Sequence, residues 1–132
     1  MGNPLSWLAV GAGAAIGAWL RWGLGLWLAN VHAQVQAGTL AANLAGGYLI
    51  GIALGFFTSN PHLSPEWRLF IVTGFLGGLT TFSSFSGESV ALLQRGAYGW
   101  ALGHTLLHLV GSILLCIAGF AKIGRASCRE RV

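Results

Sequence analysis

Thr73-Gly74-Phe75-Leu76-Gly77-Gly78-Leu79-Thr80-Thr81-Phe82-Ser83-Ser84-Phe85-Ser86 places hydroxyls, glycines and phenylalanines in the middle of a hydrophobic segment. Gly77-Gly78 is a poor place to continue a helix, and a break there frees backbone carbonyls and amides that have no water to bond inside a bilayer. Such a break must face protein, water or an ion. Glycines alone would indicate only a surface for close helix packing. The whole run, with Thr73, Thr80, Thr81, Ser83, Ser84, Ser86 and nearby Ser89 crowded together, points to an intramembrane ion site.

Composition sets the solvent around that run. The chain has 132 residues, 55% hydrophobic and 8% charged, with a mean hydropathy of +0.70, which is the composition of an integral membrane protein. Aspartate is absent and the glutamates are Glu66, Glu88 and Glu130, little material for acid/base chemistry or a carboxylate metal site, so an enzyme is disfavoured. The net charge of +4 comes largely from the last residues and does not argue for a nucleic-acid partner. Cys116 lies in a hydrophobic segment and Cys128 in a polar tail, so no disulfide is expected between them. The first apolar stretch has no basic leader and no cleavage signal, and a cleavable signal peptide is not expected.

Working outward, the run lies in a span expected over 66–93, opened by the turn cluster Ser59-Asn60-Pro61-His62-Leu63-Ser64-Pro65. Glu66 suits a helix N-terminus and Trp67 an interface. Glu88 follows the polar stretch, at a water-filled mouth or in a capping role. The preceding span, 38–57, carries Thr39, Asn43, Gly47, Gly51 and Gly55 every four positions, a small and polar stripe that must face protein. Asn43 brings an amide with two hydrogen-bond donors to membrane depth. The first span, 5–30, contains Trp7, Trp19, Trp22 and Trp27, the small-xxx-small pair Gly13 and Gly17, and Arg21. Snorkelling to the interface is the favoured reading of Arg21, with bonding to backbone carbonyls as the alternative. His32 and His62 fall in loops. In the last span, 98–121, His104, His108 and Ser112 share one face; histidines at that spacing can bind metal, but a hydrogen-bonding track is preferred. Residues 1–123 are expected to form a single domain, and 124–132 read as a non-native or disordered basic tail.

Four spans would put the amino terminus, the second loop and the carboxyl terminus on one side. Arg68 and Lys122 on that side against Arg95 and Arg21 on the other give no orientation by the positive-inside rule, so dual topology is expected. Four thin, glycine-rich helices leave little room for a pore in one subunit, and a homodimer is the simplest assembly, antiparallel if both orientations insert.

The sequence resembles the CrcB/Fluc family of fluoride channels. The resemblance rests on Gly77-Gly78-Leu79-Thr80-Thr81-Phe82-Ser83-Ser84-Phe85-Ser86 and Gly38-Thr39-Leu40-Ala41-Ala42-Asn43-Leu44, supported by Arg21-Trp22, Glu88 and Gly111-Ser112. It implies an all-α, four-helix fold with a break in the third helix, and an antiparallel dual-topology homodimer with two fluoride pathways in a bacterial cell membrane. Phe82 and Phe85 match pathway-lining phenylalanines, Asn43 the pore asparagine and Ser112 a serine of the polar track. Thr39, Thr81, Ser84, His104 and His108 join the same pathway, and Arg21 and Glu88 supply charge at the vestibule or interface. The carbonyls of Gly77 and Thr80 match a central structural Na+ site shared by both subunits.

Fluoride is small and strongly hydrated, so a pore must replace its water with donors, yet a fixed buried cation would hold it too tightly to conduct. Neutral amide and hydroxyl donors, with phenylalanine ring edges, meet that requirement. Two rival readings are a small multidrug-resistance-type proton antiporter, for which Glu88 is the one candidate carboxylate, and a non-transporting scaffold. A membrane enzyme using His104 and His108 is the least favoured.

Overall fold

The computed structural model describes residues 3–30 and 36–131, with side chains through Arg125. His32 and the polar stretch around it lie outside the described residues. All regular structure among the described residues is helical: α1 Pro4–Trp27, α2 Ala37–Ser59, α3 Pro65–Arg68, a π-helical stretch Leu69–Leu76, α4 Gly77–Leu79, α5 Phe82–Gln94 and α6 Tyr98–Arg131. Three segments are long and apolar enough to cross a membrane, Ala37–Ser59, Pro65–Gln94 and Tyr98–Arg125, and the chain is a multi-pass membrane protein. The 24 residues of α1 make roughly 36 Å of helix, but Arg21 and the tryptophans hold its hydropathy below that of the other three.

Local sequence explains most of the ends. Asn3 accepts from the Ser6 N–H at 2.8 Å, with Pro4 at the first helical position of α1. Ser64 caps α3 by accepting from the Glu66 N–H, and its hydroxyl donates to the Glu66 carboxylate. Gly96, at φ 75°, ends α5. Its N–H donates to Leu93 and that of Ala97 to Leu92, the paired bonds of a Schellman cap.

Glycines set the packing. Gly13 and Gly17 of α1 interleave with Gly74 and Gly78: a Cβ on Gly13 would lie 2.8 Å from the Phe75 nitrogen, and one on Gly78 would collide with the Ala14 carbonyl. The α2 stripe meets α6 in the same way, Gly47 against Ser112, Gly51 against Cys116 and Gly55 against Ile123. The expected protein-facing stripe is thus the α2–α6 contact surface. Ala42, Ala53, Phe57, Leu76 and Leu79 form a small buried core. The isolated chain exposes 8528 Å², where a water-soluble monomer of 13.8 kDa would expose about 6600 Å². Large apolar side chains are prominent on that surface, Trp7, Trp27, Phe82 and Ile117 among them, and suit lipid or another protein surface.

Three expectations need correction. Gly77-Gly78 does not interrupt the helix; both lie in α4, and the chain leaves helical geometry at Thr80 (ψ 157°) and Thr81 (φ −151°). The glycines serve contact with α1, where a side chain would not fit. Arg21 does not snorkel: its Nε donates to the Gly78 carbonyl at 3.2 Å. Finally, α6 runs on as helix to Arg131 rather than ending near Ala121, because 122–131 contains no proline and a single glycine.

Candidate functional site

Thr80 and Thr81 are the two extended residues between α4 and α5; the Thr80 N–H still donates to the Leu76 carbonyl, but the Thr81 N–H and carbonyl need partners outside the helix ladder. Asn43, in the middle of α2, supplies them. The Thr81 N–H donates to Asn43 Oδ1 at 2.8 Å, and Asn43 Nδ2 donates to the Thr81 carbonyl at 3.1 Å. Thr81 Oγ1 meanwhile accepts from the Ser84 N–H at 3.2 Å and caps α5. One threonine therefore starts a helix with its side chain and ties to α2 with its backbone.

The opposite wall comes from α6. His104 and His108, each 4% exposed, stand one turn apart with ring centroids 4.4 Å from each other. His108 Nδ1 lies 3.0 Å from Asn43 Nδ2, and His104 Nδ1 lies 3.1 Å from Ser89 Oγ on α5. Phe85 covers both rings, stacked on His104 at 5.3 Å and tilted over His108 at 5.0 Å. Its other neighbour is Phe82, 5.5 Å away and 80% exposed. Below His108, the Ser112 hydroxyl donates to the His108 carbonyl.

These groups line one open cleft of about 420 Å³. Asn43, Gly77, Thr80, Thr81, Phe82, Phe85, His108 and Ser112 all face it, and none of the described residues lining it is charged. The remaining expected site residues lie around it. His104 sits behind Phe85, Ser84 caps its helix through Thr81, and Arg21 lies on the α1 side of the break. Thr39 is the side chain approaching the Glu88 carboxylate, outside hydrogen-bond geometry; among the described residues neither Glu88 oxygen has a hydrogen-bond partner. Sequence reasoning missed the apolar part of the wall, Ile50, Val72, Leu76, Leu109 and Ile113. Nothing distinguishes those side chains from core or lipid-facing ones until α2 and α6 are placed. In the sequence Ser89 is one hydroxyl among many, and its pairing with His104 depends on the α5–α6 register.

The fold and the cleft define a small polytopic helical membrane protein with an open cleft lined by neutral polar groups, aromatic rings and apolar side chains. Residues 8–120 match the family described as CrcB-like protein, Camphor Resistance (CrcB), and the chain belongs to that family. It is 60% identical over 117 residues to a protein of Cupriavidus pinatubonensis named fluoride-specific ion channel FluC, covering 89% of this chain and 93% of that one. A protein of Polynucleobacter asymbioticus with the same name is 61% identical over 115 residues, 87% and 92% of the two chains. One of Nitrosomonas europaea, also so named, is 53% identical over 116 residues, 88% and 91% of the two.

Proposed function

We propose that this chain is the subunit of a fluoride-selective passive channel that lets cytoplasmic fluoride leave down its electrochemical gradient. The observation that carries this reading is the cleft, where amide, imidazole and hydroxyl groups meet two phenylalanines without a charged side chain. Neutral donors replace part of fluoride's hydration without trapping it, and ring edges present partial positive charge. Fluoride enters cells as neutral HF and is held as the anion, so a passive route suffices for export. The close relatives named fluoride-specific channels support the same substrate.

The assembly belongs to the same proposal. The four helical segments are four spans, the third interrupted at Thr80-Thr81, and two chains pair antiparallel in the membrane to give two pathways. The open cleft and the unusually apolar surface support a second copy as the covering partner. The donor set at the break fits a hard cation such as Na+. The Thr81 N–H, which an unbroken helix would direct to the Gly77 carbonyl, goes to Asn43 instead, and the Ser84 N–H goes to Thr81 Oγ1 instead of the Thr80 carbonyl. Carbonyls of Gly77 and Thr80 without their helical donors are the oxygen ligands such an ion takes. When bound, the cation would neutralise those dipoles and lend a fixed positive field.

Efflux from liposomes containing the purified protein tests the reading. Rapid loss of fluoride with chloride retained is expected. Chloride leaving as fast as fluoride, or no fluoride leaving through correctly folded protein, would overturn it and return the scaffold to the front. The antiporter reading has Glu88 as its carboxylate, and Glu88 does not line the cleft.

A further inference from the structure

The Asn43 amide has no hydrogen to spare. Its orientation is settled by Thr81: rotating the amide by half a turn would set Oδ1 against the Thr81 carbonyl and Nδ2 against the Thr81 N–H, replacing two hydrogen bonds by two repulsions. Nδ2 is therefore the atom that faces His108, and its two hydrogens go to the Thr81 carbonyl and to His108 Nδ1. A nitrogen that accepts from an amide carries a lone pair, so in the neutral ring the proton resides on Nε2.

That assignment changes what the histidine can do. His108 Nε2 is buried and has no hydrogen-bond partner among the described residues, while the residue lines the cleft beneath Phe85. A protonated Nε2 has no lone pair for a metal, so the His104–His108 spacing does not make a two-histidine metal site while Asn43 holds this position. What it offers is a neutral N–H donor shielded from bulk water, and an unpaired buried donor is costly until something accepts from it. His104 is not fixed in this way, because the Ser89 hydroxyl can donate or accept.

We infer that Asn43 is a positioning residue that locks His108 as the Nε2–H tautomer, and that the His108 imidazole N–H is a donor this chain offers to the anion. The second half rests on the fluoride reading above; the first does not. In this arrangement the asparagine sets the ring that meets the anion, and the same amide closes the gap in the helix at Thr81.

Nitrogen-15 NMR of histidine-labelled protein, with fluoride efflux measured on the same preparations, tests both halves. The parent is expected to show His108 neutral with hydrogen on Nε2. Asn43→Asp, whose carboxylate only accepts, is expected to move that hydrogen to Nδ1. His108→Phe should slow fluoride efflux about tenfold or more, and His108→Gln, which keeps an N–H donor, should retain more flux than His108→Phe. A parent His108 protonated on Nδ1, or a tautomer unchanged by Asn43→Asp, would overturn the lock. Parental flux through His108→Phe would overturn the donor assignment. Absence of fluoride flux in the parent would instead sink the channel reading and leave the tautomer result standing.

Discussion

Thr81 carries three different obligations, and substitutions separate them. Its backbone pairs with Asn43 whatever the side chain, but its Oγ1 is the cap of α5. Thr81→Val should therefore lower stability by about 1 kcal/mol in detergent unfolding, while Thr81→Ser should recover most of the loss; equal effects would show that the hydroxyl caps nothing. Arg21 makes a second residue-scale prediction. Because its Nε donates to the Gly78 carbonyl, Arg21→Met should destabilise by about 1.5–3 kcal/mol, whereas a snorkelling arginine would be replaced at little cost. Residue identity was enough to select Asn43, His108 and Ser112 as site candidates, Phe82 and Phe85 entering only through the resemblance to a known family. It was not enough to decide which hydrogen of Asn43 goes where, since that depends on Thr81 and His108, 38 and 65 residues further along the chain.

Helices here are held by what glycine omits. A Cβ on Gly17 would collide with the Phe75 carbonyl and lie 2.7 Å from the Leu79 nitrogen, backbone atoms that cannot swing aside. Gly17→Ala should cost about 1–3 kcal/mol by forcing α1 away from the interrupted third segment. Gly11→Ala, six residues earlier with nothing within 4 Å, should be neutral or slightly stabilising; matching thermal shifts in the two variants would refute this account of the contact. The four-residue spacing of Gly47, Gly51 and Gly55 was legible as a protein-facing stripe because helical period alone decides which residues share a face. The site of the interruption was not. Gly77-Gly78 has low helix propensity, but close contact with α1 outweighs propensity there, and the chain departs at Thr80-Thr81 because Asn43 is placed to satisfy it. The π-helical stretch Leu69–Leu76 has no cue in an otherwise ordinary apolar run.

For the whole molecule, the membrane setting was plain from composition, since so low a charge content cannot coat a water-soluble surface. A partner was legible only as a need. If the Gly77 and Thr80 carbonyls of two copies share a sodium ion, replacing Na+ with a bulky organic cation should weaken the dimer in detergent and reduce fluoride flux, both recovering on return of Na+; a dimer indifferent to the exchange would remove the ion from the assembly. The tie between Asn43 and Thr81 also bears on how the protein is made. Until α2 lies alongside, the Thr81 N–H and carbonyl have no such partner, and the segment 65–94 satisfies them by continuing as an unbroken helix. The interruption is therefore expected to form only when α2 docks, so one side chain sets when this segment takes its final shape.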